Sequence, residues 1–307
     1  MSDYIVVIPT YKRYNEINKK TLPTLKKGGV PKNKIHVFVA NKAEEKIYRE
    51  KMDPNTYGKI VVGKKGLVNQ RIYISEYFPK GTNIVSLDDD VEKMQKLKGS
   101  TFKLTRNSAK TLKNKTKSNK KKKTIKRSIG GKAVDKSLNQ IIELKNIDEF
   151  FKKSFALLKQ TGLNLWGVYP INNPFFMSNK VTTDLRFVIG VVHGYIASHD
   201  PKVKMSKKSL SKEDIHQSIL YYLRDGGVLR FNNVSFKTVF NAPGGLGTNR
   251  YGMNKTAQEY LCKTYPNMAK KKFRPDGTPE VRLIANPELY KKLLFFLSIY
   301  FILFFVL

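Results

Sequence analysis

Four short apolar runs in the first ninety residues, alternating with stretches of helical spacing, constrain this chain more than any other feature. YIVVIPT (Tyr4–Thr10), KIHVFVA (Lys34–Ala40), KIVVG (Lys59–Gly63) and NIVSL (Asn83–Leu87) have the length and apolar character of buried strands. Asn18–Gly29 reads as a short helix stopped by Gly28 and Gly29, and Lys42–Met52 as a second. Leu67–Phe78 is a third, by the spacing of Leu67, Ile74 and Phe78. Strand and helix alternating through short connections imply an α/β fold, with a mainly parallel central sheet flanked by helices. Sheets of this kind bind ligands at the carboxyl ends of their strands. The fourth run ends there on Asp88-Asp89-Asp90.

That acidic triplet stands in a basic chain. Over 307 residues, 58 Lys and Arg oppose 24 Asp and Glu, a formal charge of +34. Such an excess favours a polyanionic partner: nucleic acid, anionic lipid or a phosphorylated substrate. Much of it is Lys, which A-rich coding also produces, so charge alone does not choose among them. Adjacent carboxylates repel, and burying them costs free energy unless a cation sits between them. In extended geometry Asp88 and Asp90 share one side and Asp89 takes the other. Oxygen ligands this few suit Mg2+ or Mn2+ shared with substrate phosphates. The alternative is a solvated acidic turn paired with nearby lysines.

Further along, Lys98–Lys136 is a basic, low-complexity tract that reads as a mobile loop. A helix follows around Asp148–Gly162, then a strand over Arg186–Ala197, a helix over Ser211–Gly227 and a strand over Val228–Phe240. Asn241–Arg250 carries the glycines of a flexible lid or of a plain glycine turn. The single Cys262 excludes an internal disulfide and a cysteine-based zinc cluster, as in a reducing compartment. The start, MSDYIVVIPT, lacks the features of a secretion signal, so an intracellular protein is expected. Leu293–Leu307 is almost wholly apolar but shorter than the roughly 20 residues that span a bilayer. It reads either as a short tail anchor or as an abnormal end to a soluble chain.

The triplet after the fourth run, with Ile8-Pro9-Thr10-Tyr11-Lys12-Arg13 after the first, resembles the GT-A glycosyltransferases, whose D-x-D motif holds a metal against a nucleotide-sugar diphosphate. The resemblance implies that Asp88 faces the ribose or metal, that Asp90 is the more direct metal ligand and that Asp89 is a bystander. It assigns Thr10, Tyr11 and Arg13 to the donor-nucleotide loop. Gly66 and Arg71, at a helix start, fall to the diphosphate; the bland alternative for Arg71 is a pair with Glu76 on its own helix. Asn41 stands where many of these enzymes read uracil with an Asp, and an amide can pair with a base edge. Lys212-Glu213-Asp214 resembles the acidic pair that supplies the base in inverting members, with Asp214 as base and Glu213 supporting it. Ser211-x-x-Asp214 also fits a variant capping box. His193, His199 and His216 are candidates for a third metal ligand, none of them singled out, and His193 reads better as a core histidine.

GGLGTNRYG, YP and KFRPDGTPEVRL, preceded by SKEDIHQSILYYLRDGGVLRFNNVSFKT, look like the TET/JBP-associated glycosyltransferases of phages and large DNA viruses, relatives of the base J glucosyltransferases. That resemblance implies one GT-A domain over residues 1–290, with residues 98–136 inserted and an apolar tail at 291–307. It implies transfer of a sugar, glucose by preference, from a UDP-sugar to a hydroxymethylated pyrimidine in DNA, with Mn2+ or Mg2+ as cofactor and the basic tract tracking DNA phosphates. Such an enzyme would be a viral protein working inside the host cell. One alternative keeps the chemistry but takes a protein or glycan acceptor, with the tail at a membrane. The other is a non-catalytic nucleic-acid-binding protein.

Overall fold

The structure, a computed structural model, describes residues 3–104, 140–239 and 250–284. Most of the basic tract, the glycine loop up to Asn249 and the apolar tail lie outside these residues. Among the described residues, no helix is long and apolar enough to cross a membrane.

Strands β1 (Ile5–Pro9), β2 (Ile35–Val39), β3 (Lys59–Val62) and β4 (Asn83–Leu87) fall on the four apolar runs. Helices α1 (Tyr14–Lys19), α2 (Thr21–Lys27), α3 (Lys42–Lys51) and α4 (Leu67–Tyr77) connect them. Then come β5 (Lys93–Leu97), β6 (Ile141–Glu143), α5 (Ile147–Thr161), β7 (Leu165–Val168), β8 (Val181–Thr182) and β9 (Val192–Ile196). The remaining elements are α6 (Glu213–Asp225), β10 (Leu229–Phe231), β11 (Val234–Lys237), α7 (Arg250–Thr264), β12 (Ala269–Phe273) and β13 (Pro279–Leu283).

The main sheet runs β3-β2-β1-β4-β9-β7-β10-β8. β1 to β4, β7 and β10 share one direction, whereas β9 and β8 oppose it. The architecture is thus α/β with a mainly parallel sheet, as the alternation implies. Both faces are covered, so the strands are near-continuously apolar rather than alternating. On one face Trp166 packs edge to face against Phe150 at 5.6 Å and Phe155 at 6.0 Å, rings supplied by the amphipathic α5. A smaller sheet, β11-β5-β6, lies beside the acidic turn, and β12 and β13 form a separate hairpin.

Two expected strands need correction. Of Arg186–Ala197 only Val192–Ile196 pairs in the sheet. The backbone before it is spent elsewhere: Val188 N–H donates to Ser218 Oγ at 2.9 Å and Gly190 N–H to Asp214 Oδ2 at 3.2 Å. Val228–Phe240 is two strands in different sheets, broken at Asn232-Asn233. The Asn232 amide donates to Lys180 O and Asn233 to Thr101 O, local partners that compete with a continuous ladder.

Candidate active site

Because β1 to β4 are parallel, the loops that follow them open at one edge of the sheet. Antiparallel β9 begins at that same edge. Thr10–Arg13, Asn41, Gly66 and Asp88–Asp90 therefore assemble there from four separate connections.

The first loop is held by a relay of hydrogen bonds. Arg13 N–H donates to Tyr48 Oη at 2.9 Å, Tyr48 Oη lies 2.7 Å from Thr10 Oγ1, and Thr10 donates to Asp89 Oδ2 at 2.6 Å. With its own proton committed to Asp89, Thr10 accepts from Tyr48. Lys12 takes a left-handed φ of 56°, unusual for a residue with a Cβ, and its N–H donates to Glu44 Oε2 at 2.8 Å. The Arg13 guanidinium closes the loop, 2.7 Å from Asp90 and 3.3 Å from Asp89.

Asp89 and Asp90 thus share one cation, and the alternation expected of an extended strand does not hold. The reason is local: β4 ends at Leu87, and the carboxylates lie in the turn beyond it. Thr21 Oγ1 fixes this turn by donating to Asp88 O at 2.8 Å and accepting from Val91 N–H at 2.9 Å; Thr238 donates to Asp90 O at 3.0 Å. Asp89, left aside in the sequence reading, is a buried anchor. Asp88 pairs with Arg71 instead and is the most open of the three, its side chain 32% exposed.

Arg71 points inward from α4 and is buried. Its Nη2 donates to Asp88 Oδ1 at 3.2 Å and to Gly190 O at 3.1 Å, while its Nε lies 3.2 Å from Glu213 Oε1. It does not pair with Glu76, which binds Lys204. The guanidinium fits only because residue 190 is glycine: a Cβ there would come within 2.7 Å of Arg71 Nη2. Gly190→Ala is expected to displace Arg71 and cost about 1–3 kcal/mol of stability in urea denaturation.

Glu213 and Asp214 open α6 but diverge. Glu213 is sealed against Arg71 at 3% exposure, whereas Asp214 is partly exposed. Asp214 accepts N–H donation from Gly190 at 3.2 Å and from Ile215 at 2.8 Å. The capping-box alternative fails, since Ser211 bonds Asn254 and Lys212 occupies the cap position without a side-chain cap bond.

In this network the carboxyl groups of Asp89 and Asp90 meet the Arg13 guanidinium and those of Asp88 and Glu213 meet Arg71, while Asp214 is held by the Gly190 N–H. Loss of water is the largest influence on the acids. It pushes Asp88 up to about 6 and Asp89 to about 7, and with Asp214 alongside it raises Glu213, in each case against the pull of the nearby arginines. Asp214 is raised for the same reason, with the Gly190 N–H opposing. Excess negative charge that the protein does not neutralise is the condition a divalent cation relieves. Among the described residues no group of three or more His, Cys, Asp and Glu could hold a metal ion by itself. Two carboxylates such as Asp88 and Asp90 would suit only an ion shared with a ligand's oxygens.

The three histidines are engaged elsewhere. His193 Nδ1 lies 3.1 Å from Gly190 O, and burial drives its pKa down to about 3. His216 lies 3.0 Å from Tyr265 Oη and His199 2.8 Å from Phe78 O. Asn41 caps α3, accepting from Glu44 N–H at 2.9 Å. Tyr11 lies between the ammonium groups of Lys12 and Lys65, 5.4 and 5.7 Å from its ring centroid. Gly66 starts α4 with φ 93°, a conformation that suits glycine. Arg250 begins α7, and Arg274 pairs with Glu280. Tyr48, Thr21 and Gly190 went unnoticed in the sequence, where nothing distinguishes them from ordinary helix, turn and strand residues.

No protein-family model matches the chain, and no curated protein matches it in sequence. Among solved structures, it is similar to Staphylococcus aureus TarS residues 1–349, with 13% identity and a TM-score of 0.43 over 87% of this chain and 72% of that one. It is also similar to glucosyl-3-phosphoglycerate synthase from Mycobacterium tuberculosis, solved with Mn2+, uridine diphosphate and glucosyl-3-phosphoglycerate. There the identity is 8% and the TM-score 0.41, over 92% of this chain and 88% of that one.

Proposed function

We propose that the chain is a metal-dependent glycosyltransferase of the GT-A type. It would move a sugar, glucose by preference, from a UDP-sugar to a hydroxyl acceptor, a hydroxymethylated pyrimidine in DNA. The supporting observation is the meeting of the Asp88–Asp90 turn with the amino end of α6 through one buried arginine, Arg71, which touches both Asp88 and Glu213.

Asp88 and Asp90 are the residues to hold Mn2+ or Mg2+, which when bound would neutralise charge on the leaving diphosphate. Arg13, freed from Asp90, and the amino end of α4 at Gly66 are suited to phosphate oxygens. Asp214, partly exposed and with its carboxylate oriented by the Gly190 N–H, would accept the acceptor hydroxyl's proton. Its raised pKa makes it a stronger base than a free aspartate. Glu213 neutralises Arg71 and thereby fixes the start of α6. Attack from the side opposite the leaving group, giving inversion, is the stereochemistry that goes with one such base. Aid to DNA binding falls to the basic tract of residues 98–136, which begins shortly after the acidic turn.

The test offers a panel of UDP-sugars with Mn2+ to duplex DNA with and without hydroxymethylated pyrimidines, read by nucleoside mass spectrometry. A hexose mass gain on the modified nucleoside supports the whole reading. UDP release without DNA modification moves the acceptor to protein or glycan, and absence of donor binding ends the glycosyltransferase reading. Asp88→Asn is expected to weaken Mn2+-dependent UDP binding about 10- to 100-fold in calorimetry. In the unsubstituted protein, Mn2+ affinity should fall as pH drops below about 6, where the proton competes for Asp88.

A further inference from the structure

The loop Tyr169–Lys180, after β7, displays the largest exposed aromatic surface among the described residues. Phe175 is 75% and Phe176 55% exposed, with Ile171 beside them in sequence at 51%. The two rings meet edge to face, with centroids 5.0 Å apart. A held turn presents them: Asn173 Oδ1 accepts from Phe175 N–H at 3.0 Å and Asn173 O from Phe176 N–H at 3.2 Å. Met177 is buried behind, and Ser178 N–H donates to Asn232 O at 3.1 Å. Exposed rings fixed in place cost solvation free energy without contributing to the core, so this patch calls for an occupant.

Register places the start of the loop at the same sheet edge as the site. Ser86, His193 and Gly167 lie in one row across β4, β9 and β7. Two residues further along, Asp88 N–H bonds Val191 O, and β7, on the other side of β9, ends at Val168, after which Tyr169 N–H donates to Val234 O. The chain thus leaves β7 at the sheet edge that carries Asp88, two strand spacings, about 10 Å, across the sheet. The surroundings are basic. Tyr169–Lys180 contains no acidic residue, and Asn179 Oδ1 accepts from Thr101 N–H and from the Asn233 amide. Those bonds hold Thr101, in the described part of the Lys98–Lys136 tract, against the loop. Lys98, Lys103 and Lys180 are exposed there.

We propose that Phe175 and Phe176 form a stacking platform for an unpaired base of a nucleic-acid strand, the acceptor strand of the reaction above, on which reading this inference rests. A base lifted from the stack needs a ring to replace its neighbours. Rings beside a cationic surface match both halves of such a strand, bases and phosphates. A bilayer matches the charge but has no planar group for the rings to stack on.

The test measures binding of the full chain to a labelled single-stranded DNA oligonucleotide by fluorescence anisotropy across a salt series. Phe175→Ala with Phe176→Ala should weaken binding about tenfold or more, while the slope of log affinity against log salt stays unchanged, because no phosphate contact is lost. Phe175→Tyr with Phe176→Tyr should restore affinity, and Lys180→Ala should shallow the slope. Affinity unchanged in the double alanine variant overturns the platform, as does a loss accompanied by a changed slope. Loss of binding to vesicles of four parts phosphatidylcholine to one part phosphatidylserine, with DNA binding intact, overturns it in favour of a lipid contact. None of these arms needs the donor. Absence of UDP and Mn2+ binding would therefore overturn the catalytic reading separately, with the platform still judged by DNA.

Discussion

Asp214→Asn is expected to lower sugar transfer by about 10²–10⁴-fold while leaving UDP and Mn2+ binding within about twofold. The substitution is nearly isosteric; the Asn carbonyl can still accept from one of the two N–H groups that Asp214 serves, of Gly190 and Ile215, and Glu213 still ties the amino end of α6 to Arg71. What disappears is the capacity to take a proton. Steady-state turnover together with donor calorimetry on the same preparation separates these effects. A variant with turnover within about threefold of the parent would move the base elsewhere. Glu213→Gln should lose less, since Glu213 is sealed behind Arg71 and acts through it.

Arg71→Met should give the largest loss of stability, about 3–5 kcal/mol in chemical denaturation. The side chain is buried and serves Asp88, Glu213 and the Gly190 carbonyl together, so removing its charge leaves acids without their counter-ion. The double variant Arg71→Met, Glu213→Gln separates charge from packing. If uncompensated charge dominates, the second substitution recovers much of the loss. If the cost is the cavity around a shortened contact network, the two losses add. A single Arg71→Met variant as stable as the parent would remove Arg71 as the link between the acidic turn and α6.

Arg71 Nη2 and Nε face Asp88, the Gly190 carbonyl and Glu213, whereas Arg13 is held by Asp89 and Asp90. On the proposed function both arginines are candidates for the donor's phosphates.

The sheet was legible in the chain because its signal is local. Apolar runs of strand length, separated by helical spacing and glycine stops, leave few ways to bury themselves, and β1 to β4 fall on those runs. The placement of Thr10, Arg13 and the acidic triplet at one edge follows from the parallel direction that short crossovers impose. What the chain did not disclose depends on residues far apart in sequence. Nothing near Asp89 announces that Tyr48, through Thr10, will hold it. Nothing near Gly190 announces an arginine 119 residues earlier that leaves no room for a Cβ. Local pattern decides which segments become strands and helices, because each residue's periodicity and turn chemistry act over a few neighbours. Which carboxylate stays open, which is sealed and which cation each one shares are decided only when β9 enters antiparallel and brings Gly190 and α6 against α4, since charge and hydrogen bonding act through space rather than along the chain.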